Sequence, residues 1–226
     1  MAATPPPQPP PPTPEALPWE QPGYPILEGL YETARLVLVR PSEAFARMSA
    51  TGDLGRPLLY AVIFGWLGMI AAQVYNIAFR SAMMSFLPRL PGMPGGRAMG
   101  LPVAFNVGFM ILAPVFILLG VFIGAAIIHL FLMLVGGAGG GFATTVRVVC
   151  YAGTVQIIQV IPFCGGLIAL VWGIVIEIIG LAQAHRTTQG KAALAVLLPL
   201  VLCCVCIAVL AASFGAAMAG AFRGMH

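Results

Sequence analysis

The sequence predicts an all-α, polytopic membrane helix bundle: five transmembrane helices preceded by interfacial N-terminal helices. Three observations carry this expectation. Hydrophobic residues make up 60% of the 226-residue chain and charged residues only 8%, against about 25% charged in an ordinary soluble domain. The mean hydropathy is +0.97. Residues 57–79, 103–135 and 192–222 contain no Asp, Glu, Lys or Arg, and each stretch exceeds the roughly 20 residues that a helix needs to cross a bilayer. The domain organisation read from this is a Pro-rich leader over 1–25, amphipathic helices over 26–56 and a membrane domain over 57–222.

Residues 1–25 hold eleven of the twenty prolines, so the leader is expected to be disordered with polyproline II character. Its Pro-x-x-P matches have the form that SH3- and WW-type domains dock, but a solvated leader is the simpler reading. No secretory signal is expected, because the first long apolar stretch starts only near residue 57. Over 26–50, Leu27, Leu30, Tyr31, Ala34 and Leu38 recur at helical spacing among Glu28, Glu32 and Arg35. Pro41 breaks that pattern, and Ser42 is the expected N-cap of a second short helix carrying Phe45 and Met48. Two placements fit these helices: lying on the membrane, or packed on the cytosolic end of the bundle.

The first span, 57–79, carries a stripe of small residues, Ala61, Gly65, Gly68 and Ala72, that allows close helix approach. A Pro- and Gly-rich loop is expected over 80–101. The stretch 102–135 is too long for one perpendicular crossing, and Pro114 is expected to divide it. Gly120 and Gly124 form a GxxxG pair there. The GGAGGG run at 136–141 reads as a flexible connector, since it lacks the Lys and Ser/Thr of a phosphate-binding loop.

Residues 142–184 read as a hairpin of two spans joined by a tight turn at 162–166. The third span is the most polar, with Arg147, Tyr151, Gln156 and Gln159, and the fourth carries Glu177, the single acid after Asp53. A charged group in hydrocarbon costs roughly 3 kcal/mol or more, so each needs a partner, water or the interface. These five residues form a candidate intramembrane polar cluster. Hairpin register sets Glu177 level with Ala152, making Tyr151 its nearest donor and leaving a strained Glu177–Arg147 bridge or a protonated Glu177 as open alternatives. Arg147 also lies near enough to the helix start to snorkel to the interface. Gly166, Gly173 and Gly180 recur at seven-residue intervals on the face of Glu177 and are candidate packing positions, as are Gly65, Gly68, Gly120 and Gly124. A short polar loop, 185–191, leads to the last span.

Arginine and lysine bias orients the bundle with its N-terminus inside. The inner side then holds Arg35, Arg40, Arg47, Arg56, Arg186 and Lys191, and the outer side Arg80, Arg89, Arg97 and Arg223. A multi-pass protein of the bacterial inner membrane with a cytoplasmic N-terminus is the expected localisation.

Composition and motifs also exclude functions. There is no basic cluster on a soluble module, so nucleic acid is not an expected partner. Cys203 and Cys206 have C-x-x-C spacing, but zinc sites usually need two further ligands in a polar setting. All five cysteines read as small side chains of apolar helices, and no metal or cofactor is expected. Intramembrane proteolysis needs a Ser–His pair, paired Asp or a His-Glu-x-x-His helix. The spans contain no Asp, and Ser213 is isolated among apolar neighbours, so no enzymatic activity is expected.

Short pieces of the chain, taken in order, resemble the Yip domain family, membrane proteins named for interacting with Ypt/Rab GTPases. They are Pro41-Ser-Glu-Ala-Phe45, Asp53-Leu-Gly-Arg-Pro57, Phe142 after the Gly-rich run, and Tyr151 leading to Ile161-Pro162. Gly165 with Trp172, Gly180-Leu181, His185 and Lys191-Ala192 complete the series. Together they cover residues 40–200 and look most like the bacterial branch. The resemblance implies five transmembrane helices, a cytosolic N-terminus and no catalytic activity. In eukaryotes it implies vesicle traffic with a Rab-type GTPase partner. The Asp53–Pro57 piece departs from the eukaryotic Asp-Leu-x-Gly-Pro form. The functional expectation is therefore a non-enzymatic membrane scaffold, held in the lipid bilayer with another membrane protein or further copies of itself. The alternative is a small transporter or channel using a polar path around Glu177 and Arg147.

Overall fold

The computed structural model describes residues 15–86 and 103–223 of the chain. The expectations for residues 1–14 and for most of the 80–101 loop fall outside the described residues. All regular structure described is helical: a 3-10 turn Pro18–Glu20, then α1 Ile26–Val39, α2 Pro41–Arg47, α3 Gly55–Phe86 and α4 Val103–Leu134. There follow α5 Phe142–Ala152, a 3-10 segment Gly153–Val160, α6 Gly165–Ala184 and α7 Gln189–Arg223.

Residues 15–25 correct the expected leader. Leu17 is fully buried and Trp19 nearly so. The Trp19 amide donates to Thr33 Oγ1 at 3.0 Å and its indole Nε1–H to the Arg56 carbonyl at 2.8 Å. Proline content removes backbone donors, but an indole and a leucine among those prolines still have apolar area to bury, and the bundle supplies the site.

Helix α1 turns Thr33, Ala34 and Val37 inward and exposes Ile26, Leu27 and Tyr31. Pro41 starts α2 instead of merely breaking α1. It occupies the first turn, where a missing N–H costs nothing, and Arg40, not Ser42, is the N-cap residue. Of the two placements, the structure shows contact with the bundle: the Trp172 indole donates to the Leu38 carbonyl at 3.1 Å, and Phe45 packs against Gly180.

Among the described residues, four helices are long and apolar enough to cross a membrane: Gly55–Phe79, Gly108–Leu134, Gly165–Ala184 and Gln189–Gly215. Two expected boundaries are corrected. Helix α3 runs on to Phe86, into the stretch expected as loop. Helix α4 is continuous through Pro114; in long apolar helices neighbouring groups re-satisfy the carbonyl that a proline frees.

The expected third span is not a single helix. It is an α-helical half, α5, followed by eight residues of 3-10 helix. The change of winding has a local cause: Thr154 Oγ1 donates to the Tyr151 carbonyl at 2.6 Å, competing with the backbone ladder. Ile161 then turns extended ahead of Pro162. Nearly all of α5 is buried, which places the most polar segment at the centre of the bundle.

The glycines divide by surroundings. A Cβ on Gly68 would lie 2.6 Å from the Gln156 carbonyl oxygen, and one on Gly180 would lie 2.8 Å from Phe45 and Val148. Gly65 and Gly173 make looser approaches to Ile117 and Val155. Gly120, Gly124 and Gly166 face open space, so their expected packing role is corrected.

Candidate functional site

Arg147 lies on α5, about one and a half turns from the Gly141 N-cap, and is buried. Snorkelling is not its solution. Its guanidinium meets the Glu20 carboxylate at 3.5 Å and donates from Nη2 to the carbonyls of Gly52 at 2.6 Å and Asp53 at 2.9 Å. Gly52 reaches this position with φ +106, a backbone conformation that side-chain-bearing residues rarely adopt. Nε of Arg147 is buried without a hydrogen-bond partner among the described residues.

Glu20 is equally enclosed. Oε1 accepts from the Tyr151 hydroxyl at 2.8 Å, and Oε2 accepts from the Ser49 amide at 2.8 Å. One carboxylate thus ties the N-terminal 3-10 turn to α5 and to the loop before α3. An aromatic group surrounds it: the Tyr60 ring lies 5.0 Å from Tyr151, 4.5 Å from Phe64 and 6.1 Å from Trp19 between centroids. Thr154 spends its single proton on the Tyr151 carbonyl, so the 2.9 Å contact with Tyr60 is a bond donated by the phenol. Arg56 closes the outside, donating to the carbonyls of Trp19 at 2.9 Å and Gln21 at 3.0 Å.

The five candidate cluster residues therefore do not form one cluster. Arg147 and Tyr151 belong to the Glu20 network. Gln156, Gln159 and Glu177 line a separate cleft of about 470 Å³ bounded by α3, α4, the 3-10 segment and α6. Ala152 also lines that cleft. Tyr151 nevertheless points to Glu20, so the expected Tyr151–Glu177 and Arg147–Glu177 partnerships are both corrected. The physical reason is that the leader supplies a better carboxylate, one already beside the guanidinium at the end of the bundle.

A third polar group joins α4, α5 and the α6–α7 turn. The Gly140 amide donates to His185 Nδ1 at 3.0 Å, so the imidazole proton sits on Nε2 and is donated to Thr145 Oγ1 at 3.0 Å. Thr145 in turn donates to His129 Nδ1 at 2.8 Å. Lys191 Nζ donates to the Gly136 carbonyl at 3.0 Å. His185 and Lys191 thereby clamp the Gly-rich connector from the far side of the sequence.

Glu20, Ser49 and Gly52 were missed by sequence reasoning. The available signal was Leu17, Trp19 and Tyr24: large apolar and aromatic side chains in a stretch otherwise built of prolines. Of the positions that carried the resemblance, Pro41 starts α2 and is buried, Phe45 packs on Gly180 of α6, Asp53 lends its carbonyl to Arg147, and Pro57 lies beside that ion pair. Pro162 shapes the α6 entry turn, and Trp172, His185 and Lys191 make the contacts given above. Most of these positions tie one element to another.

No group of three or more His, Cys, Asp or Glu able to hold a metal ion occurs among the described residues. Comparison with curated proteins and with solved structures returned no match. Comparison with protein families returned one, the Yip1 domain, matching residues 35–210. That match takes in the C-terminal end of α1 from residue 35, all of α2 to α6 and most of α7, and the chain belongs to the Yip1 domain family.

Proposed function

We propose that this protein is a non-enzymatic membrane scaffold of the Yip type, with five crossings and a cytoplasmic N-terminus in a bacterial inner membrane. The observation that carries the reading is the buried Glu20–Arg147–Tyr151 network. Arg147 and Tyr151 of α5 are consumed in holding the N-terminal segment and are not presented to a substrate. The C-terminal part of α7 supports a partner in the membrane, because its described residues from 200 to 215 are exposed and include Ala208, Ala212 and Gly215 at packing spacing.

The fifth crossing is α5 with its 3-10 continuation. Eleven residues at about 1.5 Å and eight at about 2 Å give about 32 Å, close to the roughly 30 Å hydrocarbon core. The basic residues Arg186 and Lys191 flank the end of the bundle that also carries the N-terminal helices, which supports that end being cytoplasmic. A Rab-type GTPase partner rests on the family alone.

Purification of the full chain in mild detergent after crosslinking tests the role. The expected result is a discrete oligomer or a stoichiometric membrane-protein partner; a monomer with no crosslinked species contradicts it. The transporter reading draws on the Glu177 cleft, but Arg147 does not line that cleft, so it loses half of the polar path that motivated it.

A further inference from the structure

The cleft beside Glu177 has no part in the scaffold contacts. Its floor is the 3-10 segment, whose Gln159 Nε2 donates to Gln156 Oε1. That bond leaves the Gln156 amide N–H groups and the Gln159 carbonyl oxygen for another partner. Glu177 faces them from α6, seven residues before its end, about 10 Å along the helix axis. Among the described residues, none gives Glu177 a hydrogen bond or a compensating cation. The lining holds no Lys, Arg or His, and the walls are apolar, with Met69, Ile117 and Val121. Gly120 opens the side formed by α4, where a Cβ would meet nothing within 4 Å.

This inventory selects a ligand. A phosphate is disfavoured, since it would sit beside a carboxyl group with no cation to balance either. A hydroxyl suits a carboxyl in both protonation states, donating to the anion and accepting from the acid. The spare amide N–H groups call for carbonyl acceptors, and the apolar walls for acyl chain. We propose that this cleft binds an uncharged glycerolipid of the diacylglycerol type, its free hydroxyl on Glu177 and an ester carbonyl on Gln156.

The test is photolabelling of the full chain, reconstituted in phosphatidylcholine vesicles, with a diacylglycerol bearing a photoreactive acyl chain. Adducts are expected on the cleft walls around Met69, Ile117 and Val121. Glu177→Leu should lower labelling by about tenfold, the effect of one lost hydrogen bond of about 1.4 kcal/mol. Glu177→Gln should retain most of it, because a carboxamide still bonds a hydroxyl. Gly120→Leu should also lower labelling, by intruding into the cleft from a position with open space, and it should not lower the melting temperature. Equal labelling by photoreactive phosphatidylcholine would overturn the proposal. So would labelling unchanged in Glu177→Leu and Gly120→Leu. Loss in Glu177→Gln as complete as in Glu177→Leu would also overturn it.

Discussion

At the scale of single residues, the molecule turns on a carboxylate that the sequence places far from its partner. Glu20 and Arg147 are both buried, and removing one member of a buried, hydrogen-bonded pair typically costs about 3–5 kcal/mol, because the other charge is stranded. Glu20→Gln and Arg147→Met should each lower the melting temperature in detergent. The double variant should lose markedly less than the sum, because neither charge is then left alone; strict additivity would show that the two groups act independently. His185 gives a pH prediction. Burial first, and then His129, push its imidazole down from about 6.5 to about 4, against a smaller opposing effect of the Ala138 carbonyl, which favours the protonated ring. The unfolded chain therefore takes up a proton near pH 6.5 that the folded chain refuses until about pH 4. Stability should be constant above that window and fall as pH drops through it, and His185→Asn should flatten this part of the profile. Of these residues Arg147 was legible from the start, as a charge inside an apolar run. Its partner was not, since proline content conceals the burial potential of Trp19 and Glu20.

At the scale of elements, the apolar stretches gave α3, α4, α6 and α7 directly, because length and hydropathy suffice for helices that face lipid. Composition could not give the winding of the central segment. The 3-10 stretch depends on Thr154 capturing a carbonyl and on Pro162 beyond it, both of which are side-chain events. Nor could spacing tell which glycines pack, since a stripe of small residues permits close approach without requiring it. The distinction is measurable. Gly68→Ala drives a methyl group into the Gln156 backbone, which has little room to move, and should cost about 1–3 kcal/mol. Gly120→Ala meets nothing and should stabilise α4 by up to about 1 kcal/mol through helix propensity. Thermal unfolding of the two variants checks the contrast, and equal effects would contradict the assignment of α3 against the 3-10 segment.

At the scale of the whole molecule, the N-terminal segment from residue 15 is part of the helix bundle and not an appendage to it. The segment contributes Leu17 and Trp19 to a core to which α1 to α7 and the second 3-10 segment all contribute, and Glu20 to the ion pair with Arg147. A scaffold of this design presents its N-terminal segment and helices α1 and α2 in a fixed orientation, because the ion pair to α5 and the Trp172–Leu38 and Phe45–Gly180 contacts to α6 hold them at three points. Hydrogen exchange of the full chain in lipid nanodiscs tests this most directly. The amides of Trp19, Glu20 and Ser49 should exchange as slowly as those of α5, and Arg147→Met should release them while leaving α4 and α7 protected. Exchange of residues 17–20 at the rate of a free peptide in the unmodified protein would contradict the account.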